Sequence, residues 1–139
     1  MELKNKNVLI LGLGVSGVST VKALNKLQAN IVISDLKREE ELKDFLNEIG
    51  DYPVKLYLGT NSVPLDDIDL IVKSPGIPLE LSIIEEAKSK NIEVITDIEL
   101  AYRLIPNNKF IAITGTNGKT TTTTLVGKIF SNAGYKCHV

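Results

Sequence analysis

Disulfide chemistry and nucleic-acid binding have little support in this sequence. It has no tryptophan and a single cysteine, Cys137, among 139 residues, which excludes an internal disulfide and suits a reducing compartment. Its 16 basic and 17 acidic residues give a net charge of -1. A nearly neutral chain provides no basic field for a nucleic acid. We therefore expect neither a disulfide scaffold nor a nucleic-acid partner.

Long apolar segments are missing as well. No run approaches the roughly 20 residues that cross a bilayer. The first residues, MELKNKNVLILGLGVSGVSTV, place basic residues before an apolar run, as a secretory signal does. However, three glycines interrupt the run, Lys22 ends it, and no cleavage site of small residues follows. We expect no signal peptide, no membrane insertion and a cytoplasmic location. The length is about that of one domain, enough to bury a core.

Short runs rich in Val, Ile and Leu alternate with helical patterns along the chain. The spacing predicts helices within 38–49 and 82–90, the second opened by a capping box of Ser82 and Glu85. Apolar strands that alternate with helices predict a parallel sheet covered on both faces. The expected fold class is doubly wound α/β. The predicted strands are 7–12, 30–35, 54–59, 69–74, 92–96 and 109–114.

The first strand leads into GLGVSG, Gly12 to Gly17, a GxGxxG motif at the start of a predicted helix. The second strand ends at Asp35, 23 positions after Gly12. This pattern is the dinucleotide fingerprint, in which glycines let the backbone approach a phosphate and the acid lies near ribose hydroxyls. NAD, FAD or another nucleotide diphosphate would fit. The alternative is that the glycines form only a tight turn and that Asp35 caps the next element.

The segment KSPGIP, residues 73 to 78, follows the fourth predicted strand. Two prolines around a glycine are typical of a rigid turn. Open α/β sheets bind ligands at the carboxyl ends of their strands. Ser74 and the backbone at Gly76 would then line the same crevice as Gly14, although a simple turn fits these residues equally well.

A second glycine motif, GTNGKTTTTT, begins at Gly115. Lys119 and Thr120 after Gly118 match the end of a phosphate loop, in which backbone N–H groups hold phosphates, the lysine reaches the outer ones and the hydroxyl binds Mg²⁺. The usual longer loop would have a glycine where Ile113 stands. The match is therefore to a shorter loop that leads from a strand into a helix N-terminus, a place that attracts anions.

Five consecutive threonines, 120 to 124, open the helix that follows. Threonine costs up to about 0.7 kcal/mol relative to alanine in a helix, so the run sacrifices roughly 2 to 3 kcal/mol of propensity. We expect Thr120 and Thr121 to face a metal and phosphate, and the others to bond back to the helix or cap its first turn. The alternative is a threonine-rich helix start without a ligand. A buried apolar face is predicted from Leu125, Val126, Ile129, Phe130 and Ala133.

These segments together resemble the N-terminal part of a Mur ligase over essentially the whole chain. The resemblance rests on GLGVSG, the SD pair at 34–35, SPGIP, TDIELAYRL and above all ITGTNGKTT. It implies a Rossmann-like UDP-substrate-binding domain over 1–96 and the start of a P-loop ATPase-type central domain over 97–139. The short phosphate loop is specific to this ATP-dependent ligase superfamily, and the GxGxxG and SPGI segments favour the member that adds D-glutamate.

The resemblance also implies roles for individual residues. Lys119 would act in catalysis and Thr120 would bind Mg²⁺, within an ATP loop formed by Gly115, Thr116, Asn117, Gly118, Lys119, Thr120 and Thr121. The UDP part of the substrate would contact Gly14, Val15, Ser16, Asp35, Leu36, Lys37, Ser74 and Gly76. Close relatives often have a hydroxyl residue and an arginine after the aspartate. Lysine lacks the bidentate fork of arginine, so Lys37 would contact the uracil end differently.

The implied reaction joins D-glutamate to a UDP-linked muramoyl peptide precursor in peptidoglycan synthesis. ATP, with Mg²⁺, phosphorylates the terminal carboxylate, and the amine attacks the acyl phosphate. Further metal-binding and amino-acid-binding parts of the family would lie beyond Val139, so we expect a fragment without ligase activity, from a protein that is monomeric at full length. Two other functions stay open, an NAD-binding oxidoreductase and a nucleotide-sensing domain without chemistry of its own.

Overall fold

The computed structural model describes residues 1–60, 62–78, 81–105, 107 and 109–139. Five parallel strands form one sheet in the order β3-β2-β1-β4-β5. The sheet confirms the predicted parallel α/β class and the first five predicted strands. Their bounds are β1 Asn7–Leu11, β2 Asn30–Asp35, β3 Val54–Leu58, β4 Leu70–Lys73 and β5 Glu93–Thr96.

Five α-helices accompany these strands in the described residues. The predicted helical segment 38–49 is divided into a short 3-10 helix, Glu39–Glu41, and the helix α2. The predicted capping box of Ser82 and Glu85 is wrong. Ser82 is already the first helical residue of α3, and the extended N-cap backbone belongs to Leu81, which has no capping hydroxyl. The bounds are α1 Val15–Lys26, α2 Lys43–Ile49, α3 Ser82–Ser89, α4 Asp97–Leu104 and α5 Lys119–Asn132.

Side chains alternate between two apolar layers, one on each face of the sheet. Val8, Ile10 and Ile33 point to the face covered by α1, α2 and α4. Leu9, Leu11 and Ile71 point to the face covered by α3 and by Val63 and Leu65. The period of two residues along each strand explains why these strands are apolar throughout. Helices on both faces are confirmed. The buried helical side chains in these layers are Val18, Val21, Leu24, Ile49, Ile83, Ile84, Ala87 and Leu100.

The strand β3 lies at one edge of the sheet and pairs with β2 along its other side. Its central residues are polar or partly exposed. Lys55 is exposed, and its amino group lies 5.2 Å from the centre of the Tyr57 ring, in cation–π range.

The chain divides into two compact units, Met1–Pro106 and Asn107–Val139. The first extends past residue 96, where the sequence placed a domain boundary, because α4 packs on the sheet. Leu100 is buried in the core, and Arg103 donates to Glu93 of β5 at 2.8 Å. No helix in the described part of the chain has the length and hydropathy of a membrane span.

The second unit contains the helix α5 and its flanking segments. The strand predicted over 109–114 is wrong, and the five-stranded sheet does not include it. A strand forms only against a hydrogen-bonding neighbour, and the described residues of this unit supply none. The predicted buried face of α5 is also wrong, because the described residues of this unit supply no surface that covers it. Leu125, Ile129 and Phe130 are exposed, whereas Gly127 is buried.

Candidate functional site

The glycine loop, Gly12 to Gly17, joins β1 to α1 and requires glycine at two positions. Gly12 has φ +93°, a left-handed backbone that other residues rarely adopt, and its N–H donates to Ser34 at 2.8 Å. A Cβ added to Gly17 would collide with the backbone oxygen of Gly12. The start of α1 therefore approaches the end of β1 closely at Gly17, the third glycine of the motif.

Gly14 has a different property. A Cβ built there would meet no atom within 4 Å, so the space beside this backbone is open. Gly14 is also the N-cap of α1, without a side-chain cap and without an acidic residue in the first turn. The first N–H groups of α1 are therefore available to an anion, and the helix dipole favours one there.

Asp35, at the end of β2, holds the glycine loop in place. Its carboxylate accepts one hydrogen bond of 2.7 Å from the N–H of Leu13 and another of 2.8 Å from the N–H of Lys37. The second bond is the local turn expected if Asp35 caps the following segment. A direct contact of Asp35 with a nucleotide stays a prediction, and the backbone bonds give the residue a structural task in addition.

The turn from Ser74 to Ile77 lies against the glycine loop, as the sequence predicted for Ser74. The Ser74 hydroxyl donates to the backbone oxygen of Gly12 at 3.2 Å. The Ser16 hydroxyl in turn donates to the Ser74 hydroxyl at 3.4 Å. Gly76 has open space where a Cβ would be. The structure thus brings Gly12, Ser16 and Ser74 together at the carboxyl edge of β1 and β4.

Lys73 was missed by the sequence analysis. It is only 7% exposed, and its amino group donates to the backbone oxygens of Ile77 at 2.7 Å and Ser74 at 3.4 Å. One signal could have found it, since it is the only charged residue in the otherwise apolar run LIVK of β4.

Two exposed apolar residues follow the strands at this edge of the sheet. Val15 is 78% exposed at the start of α1, and Leu36 is 62% exposed after β2. A groove between α1 and α4 includes Val15 and Ser16, together with Asp97 and Ile98. Lys37 is exposed, and no ion pair involves it in the described part of the chain. The edge therefore combines open backbone, apolar surface and a positive side chain.

The second glycine motif belongs to the other compact unit. Gly118 is the N-cap of α5 in the left-handed conformation, with φ +75°. The Lys119 amino group turns back over the loop and donates to the oxygen of Gly115 at 2.6 Å. Like α1, α5 begins without a side-chain cap and without an acidic residue in its first turn. Thr116, Asn117, Thr120 and Thr121 are exposed along this loop and helix start.

Hydroxyl groups bond back to the helix in the same pattern at both glycine motifs. Thr123 and Thr124 donate to the backbone oxygens of Lys119 and Thr120, the first two residues of α5. In α1, Ser19 and Thr20 likewise donate to the first two residues, Val15 and Ser16. The predicted back-bonding of part of the threonine run is confirmed, and no internal bond of the Thr120 or Thr121 hydroxyl occurs in the described residues.

The opposite, amino edge of the sheet carries an ion pair of Lys6 with Asp69. Asp69 accepts from the N–H of Asn7 at 2.8 Å and from Lys6 at 3.0 Å, and these bonds lower the pKa of Asp69 below its ordinary value of 3.8. No group of three or more His, Cys, Asp or Glu side chains that could hold a metal occurs among the described residues. A metal at Thr120 would therefore take its other ligands from a nucleotide or from other parts of a longer protein.

The fold and the site define a class of protein: a parallel α/β domain whose first strand leads through a glycine loop into an uncapped helix. Residues 6–96 match the family described as Mur ligase MurD-like, N-terminal domain. The match covers more than half of the chain. The chain belongs to the Mur ligase family, and its first unit is a MurD-like N-terminal domain.

Relatives of known name agree with this assignment. The chain is 49% identical over 145 residues to a UDP-N-acetylmuramoylalanine--D-glutamate ligase of Alkaliphilus oremlandii, which covers 100% of this chain and 31% of the relative. It is 48% identical over 134 residues to the ligase of the same name from Clostridioides difficile, covering 96% of this chain and 30% of the relative. The chain thus spans about a third of the length of the curated relatives it matches.

Solved structures share the fold at lower identity. A murein peptide ligase from Psychrobacter arcticus matches with a TM-score of 0.61 and 24% identity, over 93% of this chain and 27% of that one. A UDP-N-acetylmuramate-alanine ligase from Thermotoga maritima matches with a TM-score of 0.57 and 20% identity, over 93% of this chain and 30% of that one. The named relatives are ligases, so an oxidoreductase or sensing domain is not favoured.

Proposed function

We propose that this chain is the N-terminal part of an ATP-dependent ligase that adds D-glutamate to UDP-N-acetylmuramoyl-L-alanine in peptidoglycan synthesis. The single observation that carries the proposal is the 45 to 49% identity to ligases of that name across essentially the whole chain. The site residues are compatible with it, and the full reaction belongs to a protein about three times as long, like these relatives.

We infer that the first unit holds the UDP part of the substrate at the carboxyl edge of its sheet. Open backbone at Gly14 and Gly76 and the uncapped start of α1 suit a diphosphate. The exposed apolar side chains of Val15 and Leu36 offer surface for the uracil ring, and Asp35 and Lys37 adjoin Leu36 in the sequence. A Rossmann-like loop thereby serves a UDP sugar without hydride chemistry.

The second unit would begin the ATP-binding central domain, with its phosphate loop from Gly115 to Thr121. Gly118 in the left-handed conformation starts a helix whose first N–H groups are uncapped, and Lys119 already lies over the loop. Lys119 would stabilise charge on the transferring phosphoryl group, the main source of rate in such reactions. Thr120 and Thr121 would lie beside the phosphates, because Thr123 and Thr124 bond to the helix instead.

Mg²⁺ would fit this loop as an ion bound by both the protein and the nucleotide. The Thr120 hydroxyl is an oxygen donor of the kind that Mg²⁺ prefers, and the metal usually keeps waters and phosphate oxygens as its other ligands. When bound, the metal would neutralise charge on the phosphates of ATP. The protein is expected to act in the cytoplasm on small-molecule substrates and as a monomer at full length.

The decisive experiment uses the full-length protein that carries this segment. Phosphate release is measured with Mg-ATP, UDP-N-acetylmuramoyl-L-alanine and D-glutamate, and the amide product is identified by mass spectrometry. Omission of any one component should abolish turnover, and L-glutamate or L-lysine in place of D-glutamate serves as the control for the added amino acid. Turnover that requires another amino acid would refute the assignment of D-glutamate.

A binding titration of the 139-residue chain separates the other functions. The chain should bind UDP more tightly than NAD. NAD binding tighter than UDP binding would support an oxidoreductase, and binding of Mg-ATP alone would support a sensing domain. Steady ATP-dependent amide formation by this chain by itself would contradict the expectation that the ligase requires further domains.

A further inference from the structure

Lys73 has an unusual environment for a lysine. It closes β4, is 7% exposed, and shares its face of the sheet with the apolar Ile71 and its neighbours. No ion pair of Lys73 occurs in the described part of the chain. Buried lysines are rare unless paired, because removing the amino group from water is costly. A specific task for this side chain would explain why the cost is tolerated.

The hydrogen bonds of Lys73 go to one turn. Its amino group donates to the oxygen of Ile77 at 2.7 Å and to that of Ser74 at 3.4 Å, while the N–H of Ile77 donates to the oxygen of Ser74 at 3.0 Å. The lysine thus ties both ends of the Ser74–Ile77 turn to the strand that precedes it. A Cβ at Gly76 would meet no atom within 4 Å, so nothing packs against the turn at that position. The turn is therefore held by its hydrogen bonds to Lys73.

The same turn contacts the glycine loop. The Ser74 hydroxyl donates to the Gly12 oxygen at 3.2 Å, and a Cβ at Gly12 would lie 3.5 Å from the Ile77 side chain. A chain of contacts therefore runs from Lys73 through Ser74 and Ile77 to Gly12, at the start of the loop that contains Gly14.

We propose that Lys73 is a positioning residue of the nucleotide-substrate site: it sets the Ser74–Ile77 turn against the glycine loop, so that the two loops together receive the diphosphate of the substrate. This inference rests on the proposed UDP site. Lys73 acts through the turn, and it does not itself contact the ligand.

The test replaces Lys73 with methionine, which preserves length and apolar contact but removes the donors. Lys73→Met should fold, because an apolar side chain suits this face of the sheet. Its dissociation constant for UDP, measured by calorimetry on the 139-residue chain, should rise about tenfold. Lys26→Met, a change of an exposed lysine in the last turn of α1, is the matched control and should bind like wild type. Wild-type UDP affinity in Lys73→Met would overturn the proposal.

A double-mutant cycle shows whether Lys73 acts through the turn. Ser74→Ala removes the link to Gly12. If both residues work through one turn, Lys73→Met combined with Ser74→Ala should weaken UDP binding little more than the stronger single change. Fully additive losses would mean independent effects and would contradict the mechanism.

One readout is independent of the UDP site. Amide hydrogen exchange at Ile77 should be at least about tenfold faster in Lys73→Met than in wild type, because the turn loses its anchor. If wild type does not bind UDP, the proposed function fails, yet the exchange rate still decides whether Lys73 holds the turn. Unchanged exchange at Ile77 would overturn the positioning role itself.

Discussion

The carboxylate of Asp35 accepts a hydrogen bond of 2.7 Å from the backbone N–H of Leu13. Asp35 ends β2, whereas Leu13 lies in the glycine loop just after the neighbouring parallel strand β1, so the bond fixes the glycine loop to β2. The same acid is predicted to lie beside the bound nucleotide. One side chain can therefore shape the binding loop and border the ligand at the same time, and its substitution should affect both stability and affinity.

Asp35→Ala should destabilise the first unit by about 1.5 to 3 kcal/mol, the range for hydrogen bonds to a charged group whose partner stays part-buried. Urea denaturation followed by circular dichroism measures the change. Asp51→Ala is the control, since Asp51 is exposed and its side chain has no partner among the described residues. Equal stability of the two variants would show that the Leu13 bond contributes nothing.

Gly17→Ala and Gly14→Ala should separate folding from binding. A Cβ at Gly17 strikes the backbone of Gly12, which cannot move as a side chain can, so we expect a loss of about 1 to 3 kcal/mol or more. Gly14→Ala meets open space and should change the free energy of unfolding by less than about 0.5 kcal/mol.

The effect of Gly14→Ala should instead appear in binding. Its methyl group would occupy the space predicted for the diphosphate, so the UDP dissociation constant should rise at least about tenfold. Thermal unfolding and UDP calorimetry on the same preparations distinguish the two effects. A Gly14→Ala variant that binds UDP normally would place the diphosphate elsewhere.

Thr120→Ala and Thr123→Ala test whether Thr120 binds the metal while Thr123 only bonds to the helix backbone. In the full-length protein, Thr120→Ala should lower kcat by about 100-fold or more, because it removes the predicted metal ligand. Thr123 bonds to the oxygen of Lys119, so Thr123→Ala should leave kcat within about twofold and favour the helix by up to about 0.7 kcal/mol. Steady-state kinetics over a range of Mg²⁺ concentrations is the measurement. Equal losses in both variants would contradict the assignment of Thr120.

Asp69→Asn should change how stability depends on pH. The bonds from Asn7 and Lys6 lower the pKa of Asp69 in the folded state below 3.8. A depressed folded pKa gives stability that is present above the unfolded pKa and lost as the pH falls through the folded pKa. The variant should thus be less stable than wild type at pH 6 and approach it near pH 2.

Urea midpoints measured from pH 6 to pH 2 test this expectation. Asp51→Asn, at an exposed position, should give a curve parallel to that of wild type. A constant difference between Asp69→Asn and wild type across the whole range would show that the ionised carboxylate of Asp69 adds no stability.

Amide hydrogen exchange should differ between the two compact units of the 139-residue chain. Residues 7–35 form central strands and a buried helix and should be strongly protected. Residues 109–134 should exchange quickly, because Leu125 and Ile129 are exposed and α5 buries little beyond Gly127. Mass spectrometry of deuterium uptake gives both values in one experiment. Strong protection over 109–134 would mean that this unit packs more tightly than the structure shows.

The sequence predicted the sheet well because its signals are local. Buried parallel strands are apolar throughout, and the glycines at 12 and 17 mark the loop through a left-handed backbone and a close approach of helix to strand. The role of Asp35 toward Leu13 was not visible, since the two residues are 22 positions apart and nothing local connects them. Lys73 was missed because its partners are backbone oxygens, which carry no sequence signal.

Two wrong predictions, the strand at 109–114 and the capping box of Ser82 and Glu85, also failed because local sequence does not determine tertiary contacts or exact helix ends. The run KFIAIT at 109–114 has strand composition, yet composition cannot supply the neighbouring strand that would pair with it. Ser82 and Glu85 have capping-box spacing, but the helix begins at Ser82 itself, one residue too early for its hydroxyl to cap. Local patterns therefore identified the elements and the glycine loops, and contacts over long sequence distances decided the remaining details.

The exposed Lys55 in the edge strand β3 has a consequence for how the sheet meets other extended chains. An edge strand presents unpaired N–H and C=O groups that can pair with another extended chain. A second strand docking there would have to strip water from the amino group of Lys55, which keeps this border of the sheet from adding foreign strands. The charge of Lys55 thus opposes the addition of a strand at this edge of the sheet.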